Sequence, residues 1–486
     1  MDIKKSSLWT NVALIGPAQY GKSTLAGFVV FSLNEVDSKT LNEAEQAALR
    51  RKDLSRKFAY LLDRKPDERA IFLGRGQTRE PSWWGFERNG RRILLIDSPG
   101  QYKRVEHVVG TLSEADGVIL VVDVKDYLES VEKPNVWRDD NGQVISNSIA
   151  QVHSFLSLVR FLGIAQVVVA LHKMDLINFS QSTYEEAKLL LELEMEDLGF
   201  VSENVMYIPT AVIADNEKGF NITQPASELI GWYPGLTLVT AIEKITPRPQ
   251  QNPGADLRMQ INYVYQGRKV GVPGFELVIT GKVIAGSVNI LDEIVIQPSG
   301  LQCKVRTIQS IDQSSVINRR NRWESRNYAV AGEVIGLGCR IQSYSGEDRV
   351  SKGEMVGHPD KTGKISDRII AKLKTLNIPN LYSLLSGQIS GVFIMGHFRT
   401  GCQIMKYSFD GGQTWQSNVE KGSNKKETLA IQDFLHYEDD TILVELHLSR
   451  NGCLDVYCDG ANLGLFVLLD PNLSIAYGGQ IVEILS

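Results

Sequence analysis

Short apolar runs alternate with longer helix-period stretches along the first half of the chain. The apolar runs cover residues 12–15, 93–96, 118–122, 167–171 and 206–208, and their lengths are typical of buried strands. Between them, apolar positions recur with a helical period, as in residues 24–30 and 184–198. This alternation predicts a mostly parallel sheet with crossover helices over residues 1–246.

The pattern changes after residue 246. Residues 246–254, TPRPQQNPG, combine prolines with polar residues and predict a linker. Beyond it, short apolar runs such as 276–280, 293–296 and 465–469 are separated by turn residues, a pattern typical of β-barrels. We therefore predict an α/β domain at residues 1–246, a linker at 247–256, and two β-barrel domains at 257–360 and 361–486.

Composition adds few constraints. A length of 486 residues fits roughly three domains. With 43% apolar and 22% charged residues and a net charge of −5, the chain reads as an ordinary soluble protein without a global attraction for nucleic acid or anionic membranes. The N-terminus lacks a signal-type apolar core, no run reaches membrane-spanning length, and the five cysteines form no C-x-x-C pair. We therefore expect a cytoplasmic location and no membrane partner.

Residues 16–23, GPAQYGKS, match the phosphate-binding pattern G-x-x-x-x-G-K-[ST]. The match lies between a predicted strand and a predicted helix, the context in which backbone N–H groups turn onto phosphate oxygens. Lys22 can reach the β- and γ-phosphates, and the Ser23 hydroxyl is placed to bind Mg²⁺. A glycine turn with a chance lysine is the alternative. The expected nucleotide contacts in this loop are Gly16, Ala18, Gln19, Tyr20, Gly21, Lys22, Ser23 and Thr24.

Two further motifs follow predicted strands. In Asp97-Ser98-Pro99-Gly100-Gln101, Asp97 can hold Mg²⁺ through water and Gly100 can offer its N–H to a γ-phosphate. In His172-Lys173-Met174-Asp175, Asp175 can accept hydrogen bonds from the N1–H and exocyclic amine of guanine, while the Lys173 stem lies along the base. Each motif alone also fits a turn or a solvated charge pair. Their order and separation favour a guanine-nucleotide site.

These motifs resemble those of translation-factor-type GTPases, the branch of elongation factor Tu and elongation factor 1-alpha, and of the GTPase (CysN-like) subunit of bacterial sulfate adenylyltransferase. The family's N-K-x-D, D-x-P-G-H, R-G-[IV]-T and S-A-x motifs map onto residues 172–175, 97–101, 75–78 and 210–212. The resemblance implies an α/β P-loop GTPase domain, with helices on both faces of its sheet, followed by two β-barrels. It implies that Thr78 ligates Mg²⁺ when GTP is bound. It also implies nucleotide contacts from Thr210, Ala211 and Val212.

The chain departs from the family pattern at several positions. Gln101 stands where the family has a catalytic histidine, and a glutamine there can orient the attacking water, so we assign catalysis to Gln101 and Lys22. His172 replaces the guanine-motif asparagine, which removes the amide's paired donor and acceptor. Ala18 and Gln77 stand where the family has an apolar pair that gates the catalytic side chain. These differences indicate a diverged relative in which control of hydrolysis is rebuilt.

Three functional hypotheses follow. The first is a Mg²⁺-dependent GTPase that switches between GTP and GDP forms and couples hydrolysis to a partner protein, as in the adenylyltransferase-like complex or with another effector. The second is an elongation-factor-like carrier of aminoacyl-tRNA or of a release protein at the ribosome. The third is a nucleotide-loaded scaffold with little turnover.

Three other segments stand out. Residues 125–147 are longer than a usual loop and predict either a tolerated insertion or a partner surface. Residues 319–326 form a basic patch that fits a solvated loop or a phosphate-binding surface. Residues 408–415, SFDGGQTW, match the Asp-box pattern S-x-D-x-G-x-T-W and predict a structural hairpin turn.

Overall fold

The computed structural model describes residues 9–33, 35–50, 52–62, 81–100, 104–132, 137–138, 144–145, 148–248, 255–266, 277–311, 323–343, 350–375, 390–417, 441–458, 463–469 and 475–485. The chain divides into two compact units. One contains the α/β sheet of the first half, and the other contains the β-strands of the second half.

The first unit is built on a six-stranded sheet. In spatial order its strands are β2 (Ser82–Arg88), β3 (Arg91–Asp97), β1 (Trp9–Ile15), β4 (Gly117–Asp123), β7 (Gln166–His172) and β8 (Val205–Pro209). All neighbouring strands are parallel except β2, which runs antiparallel to β3 at the edge. The carboxyl ends of the five parallel strands therefore meet at one edge of the sheet.

Helices follow the strands along the chain. They are α1 (Lys22–Ser32), α2 (Ser38–Arg50), α3 (Lys57–Leu62), α4 (Val105–Glu114), α5 (Val124–Glu132), α6 (Ser148–Phe161), α7 (Gln181–Asp197) and α8 (Leu238–Lys244). Two short strand pairs complete the unit: β5 (Trp137–Arg138) with β6 (Val144–Ile145), and β9 (Ala211–Ile213) with β10 (Lys218–Phe220). Every residue of β1 and β4 is buried. Because successive strand residues point to opposite faces, both faces of the central sheet are covered.

Side-chain caps start several of these helices, among them α7 and α8. Ser180 accepts a hydrogen bond from the Thr183 N–H at the start of α7, and Thr237 accepts one from the Thr240 N–H at the start of α8. Helix α1 instead begins directly after Gly21, whose φ of +91° is open to glycine. Its first turn therefore leaves backbone N–H groups facing the loop that precedes it.

The first barrel of the second unit closes on itself. Its ring order is β14 (Glu293–Gln297), β19 (Met355–Gly357), β11 (Arg258–Gln266), β12 (Leu277–Ala285), β18 (Val334–Ser343) and β15 (Leu301–Ile311), and β14 pairs with β15 to close it. Strand β16 (Trp323–Arg326) pairs with β15 at the edge of this sheet, and β13 (Ser287–Asn289) pairs with β17 (Tyr328–Val330). Alternate residues of β12 are buried, so one side of that strand faces the barrel core.

The second barrel closes in the same way. Its ring order is β21 (Gly391–Met395), β25 (Leu465–Leu469), β26 (Ile475–Ile484), β20 (Lys364–Thr375), β24 (Thr441–Leu454) and β22 (Phe398–Ser408), and β21 pairs with β22. Strand β23 (Gln416–Ser417) pairs with β22 and forms the predicted Asp-box hairpin. Buried Phe393, Tyr407 and Phe466 lie in its core.

The predicted fold class is confirmed: a mixed sheet with helices is followed by two closed six-stranded barrels. The predicted apolar runs lie in β1, β3, β4, β7, β8, β12, β14 and β25. One expectation needs correction, because residues 125–132, assigned to an inserted loop, belong to helix α5. The antiparallel edge strand β2 is an element that the apolar pattern did not predict. Among the described helices, none combines the length and apolarity needed to cross a membrane.

Candidate functional site

The phosphate-binding pattern forms a tight loop between β1 and α1. Gly16, Gln19 and Gly21 have φ values of +135°, +68° and +91°, which are left-handed conformations that glycine adopts freely and glutamine rarely. Gly16 also lies close to β4, because a Cβ there would be only 2.5 Å from the Val121 carbonyl oxygen. The loop is therefore packed against the sheet edge where the parallel strands end.

Lys22 opens α1 and is buried, with 6% of its surface exposed. Its ammonium donates a hydrogen bond to the Pro17 carbonyl at 2.7 Å, across the loop that its own backbone completes. Burial lowers the pKa of Lys22 to about 8, and the charge of Asp97 opposes that shift. The side chain therefore remains mainly protonated at neutral pH, as a group that binds phosphate must be.

Gly100 lies beside this lysine. A Cβ at Gly100 would collide with Lys22 Nζ and would lie 2.9 Å from the Ala18 nitrogen. Only glycine fits so close an approach between the segment after β3 and the phosphate loop. The Gly100 backbone thus lies next to the expected γ-phosphate position.

Ser23 and Asp97 form a pair at the end of β3. The Ser23 hydroxyl donates to Asp97 Oδ2 at 2.6 Å, and Asp97 is 2% exposed. The other carboxylate oxygen, Asp97 Oδ1, is buried and has no hydrogen-bond partner among the residues that the structure describes, which is unusual for a polar atom. Burial raises the pKa of Asp97 to about 6, against the opposing effects of the Ser23 hydrogen bond and the Lys22 charge. A hydroxyl next to a carboxylate with a spare oxygen fits the oxygen ligands that Mg²⁺ prefers.

The predicted guanine motif follows β7. Lys173, with φ of +61°, bridges two elements: its ammonium donates to the Gln19 carbonyl at 3.0 Å and pairs with Asp123 Oδ2 at 2.6 Å. Asp175 is partly buried, and this burial raises the pKa of its carboxyl. The motif is therefore tied directly to the tip of the phosphate loop.

His172 contacts both the loop after β8 and the phosphate loop. Its Nδ1 lies 3.0 Å from the Thr210 hydroxyl, and a Cβ on Gly21 would be 2.9 Å from its Nε2. Burial lowers the pKa of His172 to about 3, with the Lys173 charge acting in the same direction. The imidazole is thus neutral and connects the end of β7 with the loop after β8.

The loop after β8 is held by backbone hydrogen bonds. Thr210 N–H donates to the Leu171 carbonyl at 2.8 Å, and Met174 N–H donates to the Thr210 carbonyl at 3.2 Å. Ala211 and Val212 then enter β9. These bonds place the 210–212 segment beside the guanine motif.

The structure thus brings together the described members of the predicted set at one sheet edge. Thr24 lies in the first turn of α1. Thr78 and Gln101, with Gln77, lie outside the described residues. Of the basic patch, residues 319–322 also lie outside them, whereas Arg326 pairs with Glu333 at 3.0 Å.

Two carboxylates next to the site were not predicted from the sequence. Asp123 ends β4 and contacts Lys173, and Asp126 lies on α5 and accepts a hydrogen bond from Tyr20 at 2.7 Å. The available signal was the position of Asp123, because it follows a strand just as Asp97 does. Asp126 carries no such signal, since its partner is 106 residues away in the sequence.

A parallel sheet with a phosphate loop, a strand-end aspartate and a base-binding motif at one edge defines a nucleotide-binding switch domain. The elongation factor Tu GTP binding domain family matches residues 8–256. The chain belongs to this family, and it is a GTP-binding GTPase of the elongation factor Tu type.

Relatives extend beyond that domain. Elongation factor 1-alpha of Methanocaldococcus jannaschii is 30% identical over 76% of this chain and 76% of its own length. Elongation factor 1-alpha of Pyrobaculum aerophilum is 30% identical over 98% of this chain and 94% of its own length. The similarity therefore includes both barrels.

Solved structures share the fold. The GTP-bound Ski7 GTPase-like domain of S. cerevisiae has a TM-score of 0.74 at 16% identity, covering 98% of this chain and 97% of that chain. Translation elongation factor SelB of Methanococcus maripaludis, in complex with GPPNHP, has a TM-score of 0.61 at 17% identity, covering 98% and 79%.

Proposed function

We propose that this chain is a Mg²⁺-dependent switch that hydrolyses GTP and changes its hold on a partner between the GTP and GDP forms. The main supporting observation is that three groups lie at one edge of the sheet. They are Lys22, the Ser23–Asp97 pair and the His172–Thr210 contact. Phosphate, metal and base would each have a recognisable partner there.

Phosphate binding is assigned to the loop and Lys22. The ammonium now satisfied by the Pro17 carbonyl would exchange that contact for phosphate oxygens, which carry full charge and form stronger hydrogen bonds. Backbone N–H groups from Ala18 to Thr24 would hold the remaining oxygens at the α1 N-terminus.

Metal binding is assigned to Ser23 and Asp97, with Thr78 as a further ligand of the GTP form. Asp97 Oδ1, which finds no hydrogen-bond partner in the described part of the chain, supports this assignment, because a buried carboxylate oxygen needs a partner. Mg²⁺ would supply positive charge that neutralises the phosphate oxygens during phosphoryl transfer. Gln101 is proposed to orient the attacking water.

Base recognition is assigned to Asp175 and the 210–212 segment. The Asp175 carboxylate would accept two hydrogen bonds from guanine, and adenine offers no matching donors. Neutral His172 supports the pocket through Thr210 and Gly21, the structural part of the role that an asparagine has in the family motif.

The partner is proposed to be of the elongation-factor kind: aminoacyl-tRNA or a release protein at the ribosome. Relatives named elongation factor 1-alpha that align over nearly the whole chain support this choice. A nucleotidyltransferase-type subunit is the second candidate, supported by the resemblance of the nucleotide motifs to those of the sulfate adenylyltransferase GTPase subunit. A cytoplasmic site of action agrees with the five cysteines, none of which forms a disulfide among the described residues.

Calorimetry with GTP, GDP and ATP in the presence of Mg²⁺ tests the nucleotide site. Lys22→Ala should weaken GTP binding by at least about 100-fold, because charge-assisted phosphate contacts are lost. Lys188→Ala is the matched control, since Lys188 lies on α7, where it forms partly exposed ion pairs with Glu185 and Glu192. Undiminished GTP binding by Lys22→Ala, or equal binding of ATP and GTP by the unmodified protein, would contradict the assignment.

Copurification tests the partner. The GTP-loaded protein should retain aminoacyl-tRNA or a release protein, with tRNA binding that weakens steeply as salt rises. Retention of a nucleotidyltransferase-like subunit would instead select the second candidate. Bound GTP that persists unhydrolysed with either partner would indicate the scaffold hypothesis.

A further inference from the structure

The tip of the phosphate loop is held from outside by side chains of other elements. Tyr20 is 4% exposed, and its hydroxyl donates to Asp126 Oδ2 on α5 at 2.7 Å. The preceding residue, Gln19, has φ of +68°, and its carbonyl accepts from Lys173 Nζ at 3.0 Å. Each of these two adjacent loop residues therefore has a tertiary anchor.

The two anchors are joined into one circuit. Lys173 Nζ pairs with Asp123 Oδ2 at 2.6 Å, and the Asp126 N–H donates to Asp123 Oδ1 at 3.2 Å. We name Gln19, Tyr20, Asp123, Asp126 and Lys173 the loop clasp. It links the phosphate loop, the guanine motif and the start of α5 through hydrogen bonds. The bond from Lys173 to the Gln19 carbonyl is exposed, and the other bonds are partly buried.

We propose that Tyr20 and Asp126 are positioning residues that hold the phosphate loop in its nucleotide-binding conformation and thereby set the rate of nucleotide release. A non-glycine residue in the left-handed region persists only when its surroundings hold it there. Tyr20 immediately precedes Gly21, Lys22 and Ser23. If the Tyr20 side chain loses its anchor, the backbone of these residues becomes more mobile, and with it the groups that bind phosphate and metal. This inference rests on the proposed function.

The same helix provides an internal comparison. Tyr127, next to Asp126 on α5, is 2% exposed, and its hydroxyl donates to Glu194 Oε2 on α7 at 3.3 Å. It too is a buried tyrosine bonded to a carboxylate, but its partner lies on α7 and outside the clasp. Removing the Tyr127 hydroxyl should therefore weaken the attachment of α5 to α7 and leave the phosphate loop in place.

Release of a fluorescent GDP analogue from the full-length protein, followed by stopped flow with excess GDP, tests the proposal. Tyr20→Phe should release the analogue roughly tenfold faster, since a buried hydrogen bond to a charged group is lost. Tyr127→Phe should stay within about twofold of the unmodified protein, because its hydrogen bond does not reach the loop. Melting temperatures of the two variants should be similar.

Further variants distinguish the loss of the Tyr20–Asp126 hydrogen bond from a general loss of stability. Asp126→Ala should accelerate release as Tyr20→Phe does, and the double variant should be no faster than either single one, because both changes break the same bond. Asp126→Asn keeps an acceptor oxygen and should restore release close to the unmodified rate. If Tyr20→Phe does not fold, Asp126→Ala and Asp126→Asn carry the test.

Three results would overturn the clasp: unchanged release in Tyr20→Phe and Asp126→Ala, equal acceleration in Tyr127→Phe, or additive effects in the double variant. In each case GDP binding by the unmodified protein remains intact, so the proposed function survives. Failure of the unmodified protein to bind the analogue would overturn both together, and that outcome is recognised before any variant is compared.

Discussion

The surroundings of His172 favour an uncharged imidazole. It is 2% exposed, it contacts Thr210 at 3.0 Å, and the next residue is a lysine. Burial lowers its pKa from an ordinary value of 6.5 to about 3. The unfolded chain therefore binds a proton that the folded chain does not, and stability from this group is present above pH 6.5 and lost as the pH falls.

We predict that replacing this residue changes the pH dependence of stability. His172→Asn removes the titrating group, so the difference in unfolding free energy between the unmodified protein and the variant should shrink by about 1.4 kcal/mol from pH 7.5 to pH 5.5. Urea unfolding of the first unit at several pH values measures it. The same difference should be flat between pH 7.5 and pH 8.5, and a difference that stays constant down to pH 5.5 would contradict a neutral His172.

Asp97 changes the unfolding free energy with pH in the direction opposite to His172. Its pKa is raised from 3.8 to about 6 by burial, so the folded chain holds an extra proton between these values and gains stability on acidification. In the unmodified protein this gain offsets part of the His172 loss. The Asp97 contribution cancels when His172→Asn is subtracted.

Single residues also show what local sequence can reveal about a site. Lys22, Ser23, Asp97 and Asp175 were predicted because their motifs follow strands in a fixed order. Asp126 could not be, since its partner Tyr20 is brought near only when β4 lies beside β1. Contacts of this kind depend on strand order, which no short pattern encodes.

At the scale of elements, helix α5 shows why a predicted loop can be wrong. Its buried apolar positions are few, with Val124 and Tyr127 on the side that faces the unit, and charged residues fill much of the remainder. The sequence nevertheless carried a helix signal, because Val124, Tyr127, Leu128 and Val131 recur at helical spacing. Packing of the buried Val124 and Tyr127 stabilises the helix, as is usual for an amphipathic face.

The Asp-box hairpin shows the converse, a turn that its sequence specifies closely. Asp410 accepts hydrogen bonds from the Ser408 hydroxyl at 2.7 Å and the Thr414 N–H at 2.9 Å. Gly411 and Gly412 have φ values of +74° and +94°, as the pattern requires. These bonds hold the pKa of Asp410 below its usual range, so the carboxylate accepts them at all pH values above about 3.8.

We predict that Asp410→Ala loosens this hairpin without unfolding the barrel. The Thr414 amide loses its acceptor and should exchange with solvent deuterium several-fold faster, while amides in β20 and β24 keep their protection. Gln413→Ala, an exposed change in the same turn, is the control and should leave exchange at Thr414 unaltered. Equal exchange in both variants would contradict a structural role for the carboxylate.

At the scale of the molecule, the resemblance and the apolar pattern together predicted the order of an α/β domain and two barrels. They did not predict how each barrel closes. Closure depends on pairing β14 with β15 and β21 with β22, and in the second barrel β20 and β26 pair across about a hundred residues of chain. Non-local pairing of this kind is decided by packing and loop closure, for which sequence patterns carry little signal.

The two barrels share a partly buried ionic contact within the second unit. Arg258 at the start of β11 pairs with Asp455, just beyond β24, at 2.9 Å, with side-chain exposures of 11% and 17%. A buried Gln260 adds hydrogen bonds to the Met395 carbonyl at 2.8 Å and from the His397 N–H at 3.0 Å. We infer that the barrels melt as one cooperative body because these polar groups are satisfied only together.

Breaking the pair tests this cooperativity. Asp455→Ala leaves the Arg258 guanidinium largely buried without its carboxylate, and should cost about 3 kcal/mol of stability in the second unit. Lys361→Ala is the control, because Lys361 forms an exposed pair with Asp256 at 3.4 Å, and its removal should cost less than about 1 kcal/mol. Scanning calorimetry should show the barrel transition moving down, or splitting in two, for Asp455→Ala alone. If both variants melt like the unmodified protein, the barrels are held together by something other than this contact.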